Sequence, residues 1–483
     1  MKYKLYGNGA DDDFLAIQEM LDSGICRVTL PPPEKHYVIG NTLKIHSDQE
    51  LRLPAFARVV LKAGANCAML ENADFDNGNK NVCLNGGVWD MNHNAQNPNP
   101  YHFPDPVTGR KFEDEIKRLR FDKTTSKTLV RGCYTGMCFR FCTVKNLVFK
   151  NITVVNPVVY GVQCAYTEDF TFENIVFEYN EGSPKLWNMD GIHIEGGCRN
   201  GVFRNLKGAC HDDLLAFTAD DSLHGPISDM EADGIFAEGC HSAVRMLSAG
   251  TPVKNIHIRD IYGSFYVYCI CMTKYYEDRP ARGSFDNIVI ENVYARFCDG
   301  TKDVPGHWAP LIQIGKNVDI GSIAFRDIHR DEDNFAIETI GVEENTVIGK
   351  MTVYSAVQRN AAGGEMPFIK NEGKICTRRR YRRGKGDRRL RNGGAAVKRR
   401  AREKRAAPHK RENRKICTPL TEKNNLRRRR FLRFFEKSLK NAANCLRFNE
   451  NRLCGVKTHR SADDTKPLFF DDKAIENAFR RVV

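Results

Sequence analysis

The sequence predicts an all-β protein built as a parallel β-helix, with a short capping helix at its N-terminus and a basic C-terminal tail. Two observations support this prediction. A short strand template recurs between residues 80 and 355, and the composition changes abruptly after residue 370. A β-helix is a solenoid, in which each coil of several short strands stacks on the coil before it.

The template consists of a polar residue, an alternation of apolar with other residues, and a second polar residue. Alternation of period two is typical of a strand, and its return at intervals close to one unit of ~22–35 residues indicates a solenoid. Asn and Asp at the template ends suit tight turns and side-chain ladders. An all-β sandwich is the alternative, but it needs frequent two-residue hairpin turns, and the Asn-Gly and Asp-Gly pairs lie mostly inside the template. The copies are NVCLNG from Asn81, NLVFKN from Asn146, DFTFEN from Asp169, NGVFRN from Asn200, NIHIRD from Asn255, NIVIEN from Asn287 and SIAFRD from Ser322.

Residues 1–30 are expected to cover the first coil, because a solenoid needs a cap on its end. The segment FLAIQEMLDSG places Phe14, Ile17 and neighbouring apolar residues at helical spacing. The acids Asp11–Asp13 precede it and suit a helix N-terminus, while Gly24 suits the helix end. A short N-terminal capping helix is therefore predicted.

Charge divides the chain into two parts. Residues 371–483 hold 36 Lys and Arg against 12 Asp and Glu, a net charge of +24, which leaves 38 basic and 48 acidic residues and a net charge of −10 for residues 1–370. We assign 1–370 to the β-helix domain and 371–483 to an Arg/Lys-rich tail, which has too few apolar residues for a core and is expected to be disordered. Charge alone would let such a tail bind nucleic acid, an anionic membrane or another polyanion. We favour instead the hypothesis that a reading-frame shift near residues 370–377 produced it, because the change falls within the repeat.

The N-terminal residues MKYKLYGNGADDD lack the apolar core of a secretory signal, and no stretch reaches the ~18 apolar residues of a membrane span. The 17 cysteines are irregularly spaced and show no paired spacing typical of a zinc site. They are expected to be buried free thiols, as in a reducing compartment. The protein is therefore expected to be cytoplasmic, or secreted if the true N-terminus lies upstream.

Two adjacent acids, Asp212 and Asp213, stand at the start of the strand-like stretch HDDLLAF. Asp190 precedes them by 22 and 23 residues, and His241 follows Asp213 by 28 residues, which in each case is about one coil. Because neighbouring parallel strands lie about 4.8 Å apart, these four residues are expected to line one face. Repulsion among close carboxylates raises at least one pKa, so one group can stay protonated as a general acid while another acts as a base. Taken singly, each acid has a simpler explanation as a turn residue at a strand end.

The segments NMDG, HDD before an apolar run, and Cys-His-Ser ending in LSAG resemble the polygalacturonases, glycoside hydrolase family 28, over roughly residues 130–300. The resemblance implies a right-handed parallel β-helix and inverting hydrolysis of pectic backbones of the galacturonan or rhamnogalacturonan type. It implies that Asp212 is the general acid, that Asp190 and Asp213 hold and deprotonate the attacking water, and that His241 helps set the protonation of the acid. A pectic poly- or oligosaccharide is then the expected partner, without a metal or other cofactor.

The substrate-binding residues follow the family less closely. Asn188 matches the first residue of the family's Asn-Thr-Asp, but the family's Arg-x-Lys, which grips the substrate carboxylate, aligns with Cys271 and Thr273. Lys274 is one place off and would point to the other face of a regular strand, unless a bulge restores it. Arg245 is a second candidate, since Arg suits bidentate carboxylate binding. The predicted substrate-binding residues are therefore Asn188, Arg245 and Lys274.

Two other functions remain open at the level of sequence. A polysaccharide lyase on the same fold would need calcium-binding acids and an Arg or Lys base beside the uronate, and the missing Arg-x-Lys argues against it. A non-catalytic β-helix would bind carbohydrate without cleaving it. The linkage cleaved and the choice between endo and exo action are not fixed by the residues.

Overall fold

Short parallel strands stack coil upon coil in a computed structural model that describes residues 2–111, 114, 134–179, 187–301, 304, 306, 309–332, 337–361, 363 and 366–380. Every pairing between the strands of these residues is parallel. The predicted parallel β-helix is therefore confirmed, and the sandwich alternative is wrong.

The strands form two sheets. One helix, α1 (Phe14–Asp22), precedes them. The larger sheet contains β1 (Arg27–Thr29), β2 (Tyr37–Ile39), β4 (Gln49–Arg52), β5 (Arg58–Leu61), β7 (Asn79–Asn85), β8 (Val88–Asp90), β10 (Val144–Val155), β12 (Glu168–Glu178), β14 (Arg199–Ala209), β16 (Ile227–Cys240), β18 (Val253–Phe265), β20 (Gly283–Phe297), β22 (Val318–Glu332), β24 (Val347–Val353), β25 (Ala356–Asn360) and β27 (Lys374–Arg380). The smaller sheet contains β3 (Leu43–Ile45), β6 (Leu70–Asn72), β9 (Phe139–Cys142), β11 (Val162–Ala165), β13 (Ile192–Glu195), β15 (Asp213–Thr218), β17 (Ser242–Leu247), β19 (Ile270–Thr273), β21 (Ile312–Ile314), β23 (Ile340–Val342) and β26 (Ile369–Asn371). A 3₁₀ turn (His93–Ala95) follows β8.

The long strands of the larger sheet turn a corner at the polar residue that ends each template. β10 pairs with β7 up to Lys150 and with β8 from Thr153, and Asn151 between them has a φ of 59°. Asn tolerates this left-handed conformation better than most residues. Asn174 donates to Asn151 Oδ1 over 3.0 Å, and Asn205 donates to Asn174 Oδ1 over 3.0 Å. This corner ladder confirms the predicted role of the template ends.

Inside the coils, aromatic and aliphatic side chains form columns. Phe149, Phe172 and Phe203 follow one another on three successive coils, with ring centroids 5.4 and 5.6 Å apart. All three side chains are fully buried. Burial of rings of this size is the main favourable contribution to folding, so the column fixes both the stacking and the register of the coils.

The N-terminal helix was predicted correctly, and one of the acids before it caps it, since Asp12 Oδ1 accepts the N–H of Phe14 over 3.0 Å. Helix α1 buries Ile17 and Leu21 against the first coil, and Gly24 follows it with a φ of 77°. Asp13 makes no cap hydrogen bond; it is buried and accepts hydrogen bonds from the backbone N–H groups of Gly7 at 3.1 Å and Val38 at 3.3 Å. This carboxylate thus satisfies N–H groups of the N-terminal segment and of β2, because buried backbone groups need hydrogen-bond partners.

At the other end, β26 and β27 continue the stack, and β27 pairs with β24 from Lys374 to Arg380. Residues 381–483, on which the expectation of a disordered tail chiefly falls, lie outside the described residues. In the described ranges, no helix is long and apolar enough to cross a membrane. The cysteines that the structure describes are all free thiols, and eight of them are buried, where they pack as small apolar side chains.

Candidate active site

A cleft of about 470 Å³ lies on the outer face of the smaller sheet, over β13, β15 and β17. Five of the predicted residues line it, and the loops that follow β15 and β19 form one side of it. The predicted residues in its wall are Asn188, Asp190, Asp212, Asp213 and Arg245.

Strand register brings the predicted acids together. Ile192 pairs with Leu215, so the same register places Asp190 beside Asp213, and the N–H of Gly191 donates to the carbonyl of Asp213 over 3.0 Å. The next coil pairs Asp213 with Ser242, directly after His241. Asp190, the Asp212–Asp213 pair and His241 therefore lie on three successive coils, as their spacing predicted. Their chemical roles stay predictions.

Asp213 is buried and held by donors. Its Oδ1 accepts hydrogen bonds from the Ser242 hydroxyl and from Tyr268 Oη, the latter at 3.0 Å. Its Oδ2 lies 3.6 Å from Arg245 Nη1. Because a buried carboxylate needs such partners, these contacts fix Asp213 in one orientation.

Asp212 faces the cleft, with 20% of its side chain exposed. Its Oδ2 accepts the N–H of Asn188 over 3.1 Å. Burial and the charge of Asp213 raise the pKa of Asp212 above that of an ordinary carboxyl group. A carboxyl group with a raised pKa can stay protonated and serve as an acid.

His241 lies behind Asp212 and is not part of the cleft wall. Its Nδ1 is 3.8 Å from Asp212 Oδ1, too long for a hydrogen bond. Its ring packs edge-on against Tyr266 and Tyr268, with centroids 5.3 and 5.8 Å away. Burial lowers the pKa of His241 to about 4. Asp212 therefore has an uncharged imidazole as its neighbour, and this imidazole places no positive charge beside the carboxyl group.

Asp190 is buried at the floor of the cleft, and its Oδ2 lies 2.6 Å from His193 Nδ1. Burial and the nearby Asp212 raise the pKa of Asp190, whereas His193 acts in the opposite direction. Sequence reasoning missed His193. The alternation Ile192-His193-Ile194 could have revealed it, because both isoleucines point into the core and the histidine points to the face that holds the acids.

Two arginines line the cleft. The guanidinium of Arg245 lies over the ring of Tyr275 at 4.9 Å, and that of Arg279 lies over Tyr276 at 4.7 Å. Arg279 was not predicted from sequence, because it belongs to the irregular loop after β19. Its Nη1 donates to the carbonyl of Asp220 over 3.0 Å. The buried nitrogens Arg245 Nε and Arg279 Nη2 have no hydrogen-bond partner within the described part of the chain.

The structure does not bring Lys274 into the cleft, which corrects the sequence-based assignment. Arg245 pairs with Cys271 in a regular register without a bulge, and β19 ends at Thr273. Lys274 is buried, and its ammonium donates to the carbonyl of Arg279. Lys274 thus fastens the loop that carries Arg279, and Arg279 is the residue that faces the cleft.

Asn188 is part of a contact between the cleft and the loop before β9. It has a φ of 57°, and its Oδ1 accepts from His102 Nε2 over 2.8 Å. Next to it, the hydroxyl groups of Tyr101 and Tyr160 lie 3.0 Å apart. His102, Tyr101 and Tyr160 line the cleft, so this loop forms the wall on the side of the preceding coils.

Ligand atoms of Asp212, Asp213 and His241 lie within 4.8 Å of one another, close enough to contact one metal ion. However, both oxygens of Asp213 already face protein donors, Tyr268 on one and Arg245 on the other. A cation would have to displace or oppose the Arg245 charge. The set therefore fits proton transfer better than metal binding.

A larger cavity of about 670 Å³ lies beside β3, β6 and β9 on the same sheet. Its two central cations, Lys44 and Arg140, both contact Glu71, the latter over 3.0 Å. Both cations thus already share a carboxylate partner, as in a structural ion cluster. The smaller cleft, which combines clustered acids with partnerless arginine nitrogens, is therefore the candidate active site.

Comparison with known proteins finds similarity at the level of fold. No protein family and no curated protein matches the chain by sequence. Among solved structures, the family 28 exopolygalacturonase of Yersinia enterocolitica matches with a TM-score of 0.49 and 14% identity, over 77% of this chain and 76% of that one. An exopolygalacturonase of Thermotoga maritima gives 0.49 and 14%, over 78% and 89%. A surface adhesin of Streptococcus pneumoniae gives 0.45 and 14%, over 78% and 98%. Family 28 polygalacturonases are thus among the solved structures that this chain resembles.

Proposed function

We propose that this protein is a glycoside hydrolase that cleaves pectic glycosidic bonds by inverting acid–base hydrolysis. The observation that carries the proposal is the meeting of Asp190, Asp212 and Asp213 on neighbouring coils of one cleft, with two raised carboxyl pKa values. Glycoside hydrolysis needs one protonated and one ionised carboxyl group on the two sides of the scissile bond.

In the proposed reaction, Asp212 transfers its proton to the glycosidic oxygen as the bond between that oxygen and the anomeric carbon breaks. A water molecule held by Asp190 and Asp213 forms the new bond to the anomeric carbon from the opposite face. Asp190 takes the proton that this water loses, and Asp213 remains the partner of Arg245. Exchange with solvent then returns one proton to Asp212 and removes one from Asp190, and the anomeric configuration is inverted.

A pectic substrate is supported by the charges at the rim of the cleft. Pectic backbones carry uronate groups, and Arg245 and Arg279 line this cleft, each with one buried nitrogen that has no hydrogen-bond partner among the described residues. Arg suits carboxylate binding, because its planar guanidinium offers several donors in fixed directions. The tyrosine rings beneath the two guanidinium groups keep them in place.

Reducing-sugar release from a panel of galacturonan, rhamnogalacturonan and neutral polysaccharides tests the proposal. We expect release by the wild-type protein and at least a ~10³-fold loss in Asp212→Asn, because the proton donor is removed. Asp233→Asn is the matched control, since Asp233 pairs with Arg259 on the larger sheet, away from the cleft. Proton NMR of the first-formed product reports whether the anomer is inverted.

Three outcomes would contradict the proposal. Activity that survives Asp212→Asn would remove Asp212 from its role as acid. An unsaturated product that absorbs in the ultraviolet would indicate a lyase. Binding of a pectic polymer without release of reducing ends would indicate a carbohydrate-binding β-helix.

A further inference from the structure

His193 lies beneath the catalytic acids, in the middle of β13, and all of its ring contacts are defined. Its Nδ1 is 2.6 Å from Asp190 Oδ2, and its Nε2 is 3.0 Å from Thr218 Oγ1. The ring stacks on Tyr160 with a centroid distance of 4.0 Å and an interplanar angle of 4°. The side chain is almost completely buried, yet its edge reaches the cleft.

The hydrogen-bond pattern identifies the protonation state of His193. The hydroxyl hydrogen of Thr218 is used in a 3.0 Å hydrogen bond to the carbonyl of Ile194, so Thr218 Oγ1 can only accept from His193 Nε2. One proton lies between His193 Nδ1 and Asp190 Oδ2, which are 2.6 Å apart, and the neighbouring carboxylates, which raise the pKa of His193, favour that proton on Nδ1. Both ring nitrogens therefore donate, and an imidazole that donates from both nitrogens is the charged imidazolium.

Carboxylate groups close to His193 stabilise this positive charge. Asp221 Oδ2 lies 3.5 Å from Nε2 and Glu195 Oε1 lies 3.7 Å away. Burial alone would lower the pKa of His193, but Asp190, Asp221 and Glu195 outweigh burial and raise the pKa well above that of free histidine. Among the described residues, four titratable groups face His193: Asp190 just before β13, Glu195 at the end of β13, Tyr160 from the preceding coil and Asp221 from the following coil. Asp212 and Asp213 affect His193 through Asp190.

We propose that His193 is a positioning residue whose imidazolium keeps Asp190 ionised and oriented as the base, so that the proton shared by the two cleft acids resides on Asp212. This proposal rests on the proposed glycoside hydrolase function and assigns the division of labour within that site. Asp212 has a neutral histidine 3.8 Å away, whereas Asp190 has a charged one at 2.6 Å. An opposite charge at hydrogen-bond distance favours the ionised carboxylate, and a neutral group does not.

Glu195 lies close to His193, but its own hydrogen bonds keep it from acting in the reaction. Its side chain is fully buried and accepts hydrogen bonds from Gln163 Nε2 at 3.0 Å, from Leu223 N at 3.0 Å and from Ser222 N and Oγ. Asp221 in turn accepts from the hydroxyl group of Tyr276. Asp190 is the carboxylate contact of His193 that also reaches the proposed position of the attacking water, so the effect of His193 on catalysis passes through Asp190.

The test compares pH profiles of kcat and kcat/KM for His193→Asn with those of the wild-type protein. Asn keeps an amide donor near the position of Nδ1 but removes the charge. We expect the acid limb to move to higher pH by about one unit or more, since a neighbouring opposite charge lowers a carboxyl pKa by ~1–3 units. The value of kcat should fall about tenfold at the wild-type optimum, with KM changed less than about twofold, because His193 acts on the base and not on substrate binding.

His224→Asn is the matched control, because His224 Nδ1 is paired with Asp220 Oδ1 at 3.1 Å but His224 does not line the cleft. Its acid limb should match that of the wild-type protein. A wild-type acid limb and kcat in His193→Asn would overturn the inference. If Asp212→Asn is inactive at the same time, the proposed function stands and only the role of His193 fails.

Nitrogen NMR keeps the inference testable even if the substitution prevents folding or no substrate is cleaved. In wild-type protein labelled with ¹⁵N-histidine, one signal pair should keep imidazolium shifts from pH 5 to pH 8, and Asp190→Asn should move its titration to lower pH, because one of the neighbouring carboxylates is removed. Only neutral histidine signals at pH 8, with the protein folded, would refute the charged state.

Discussion

The most direct consequence of the cleft geometry concerns Arg279. Substitution of Arg279 by Gln removes a cation that the loop after β19 holds over the cleft, while leaving the coils themselves unchanged. The Nη1 of Arg279 is engaged by the carbonyl of Asp220 at 3.0 Å, and its plane rests on Tyr276 at 4.7 Å. Nη2 is buried and has no hydrogen-bond partner among the described residues, so we expect the guanidinium to turn slightly toward the cleft when a substrate carboxylate pairs with it.

One charge-assisted hydrogen bond between that nitrogen and a uronate carboxylate contributes about 1.5–3 kcal/mol. Because every ~1.4 kcal/mol is a factor of ten, Arg279→Gln should raise KM for a de-esterified galacturonan about 10- to 100-fold. The value of kcat should change little, since Arg279 contacts none of the three cleft acids Asp190, Asp212 and Asp213. Methyl esterification removes the substrate charge, so KM for a fully esterified substrate should change less than about threefold.

Initial rates on substrates of graded esterification measure both effects. Arg282→Gln is the control, because Arg282 pairs with Asp319 over 2.8 Å and does not line the cleft. Equal KM values for Arg279→Gln and the wild-type protein on de-esterified substrate would refute the role of Arg279 in substrate binding. An equal rise of KM on both substrates would show that the loop, and not the charge, had been disturbed.

Four further results are expected. Asp212→Asn should raise the melting temperature at pH 8 but not at pH 4. Because the pKa of Asp212 is raised in the folded protein, the free energy of unfolding falls as the pH rises from the unfolded carboxyl pKa through the folded one, and Asn removes this loss. An equal shift of the melting temperature at both pH values would contradict this. Tyr268→Phe should lower kcat about tenfold with KM unchanged, since Asp213 loses one donor; steady-state kinetics decide. Phe203→Ala should lower the free energy of unfolding in urea by about 3–5 kcal/mol, because the ring is fully buried. Asn174→Ala should cost more stability in the same titration than Asn174→Gly, because the backbone at this corner has a φ of 56° and a glycine adopts it freely.

The repeat could be predicted because the polar residues that form the corners of the coils also recur as a visible pattern in the sequence. Corner residues such as Asn151 and Asn174 stand at fixed places in each coil, so the distance between Asp190 and Asp213 could be counted in coils. Between the copies that begin at Asn200 and Asn255, the coil DMEADG from Asp229 was overlooked. Its alternation is weakened by acidic outward residues, and Gly234, with a φ of 87°, takes the place of the usual Asn at the corner.

The residues that the sequence did not reveal lie where position depends on contacts between loops. Arg279 and Tyr276 reach the cleft only because Lys274 holds the carbonyl of Arg279 and Asp221 accepts from Tyr276. Neither contact has a spacing that a sequence pattern could show. His193 is different, since it stands on a regular strand, and attention to the outward positions around Asp190 would have found it.

The corner ladder also bears on how such a chain is assembled. Asn174 can bond to Asn151 only after the earlier coil has formed, and Asn205 in turn requires Asn174. Each newly synthesised coil can therefore pair with the preceding coil, which has already folded. The first of these coils is the one that α1 covers. In a solenoid, where each unit contacts only its neighbours, this favours growth from the N-terminus during translation. The predicted site residues Asp190, Asp212, Asp213 and His241, which are spread over three successive coils, come together only when the third of these coils has folded.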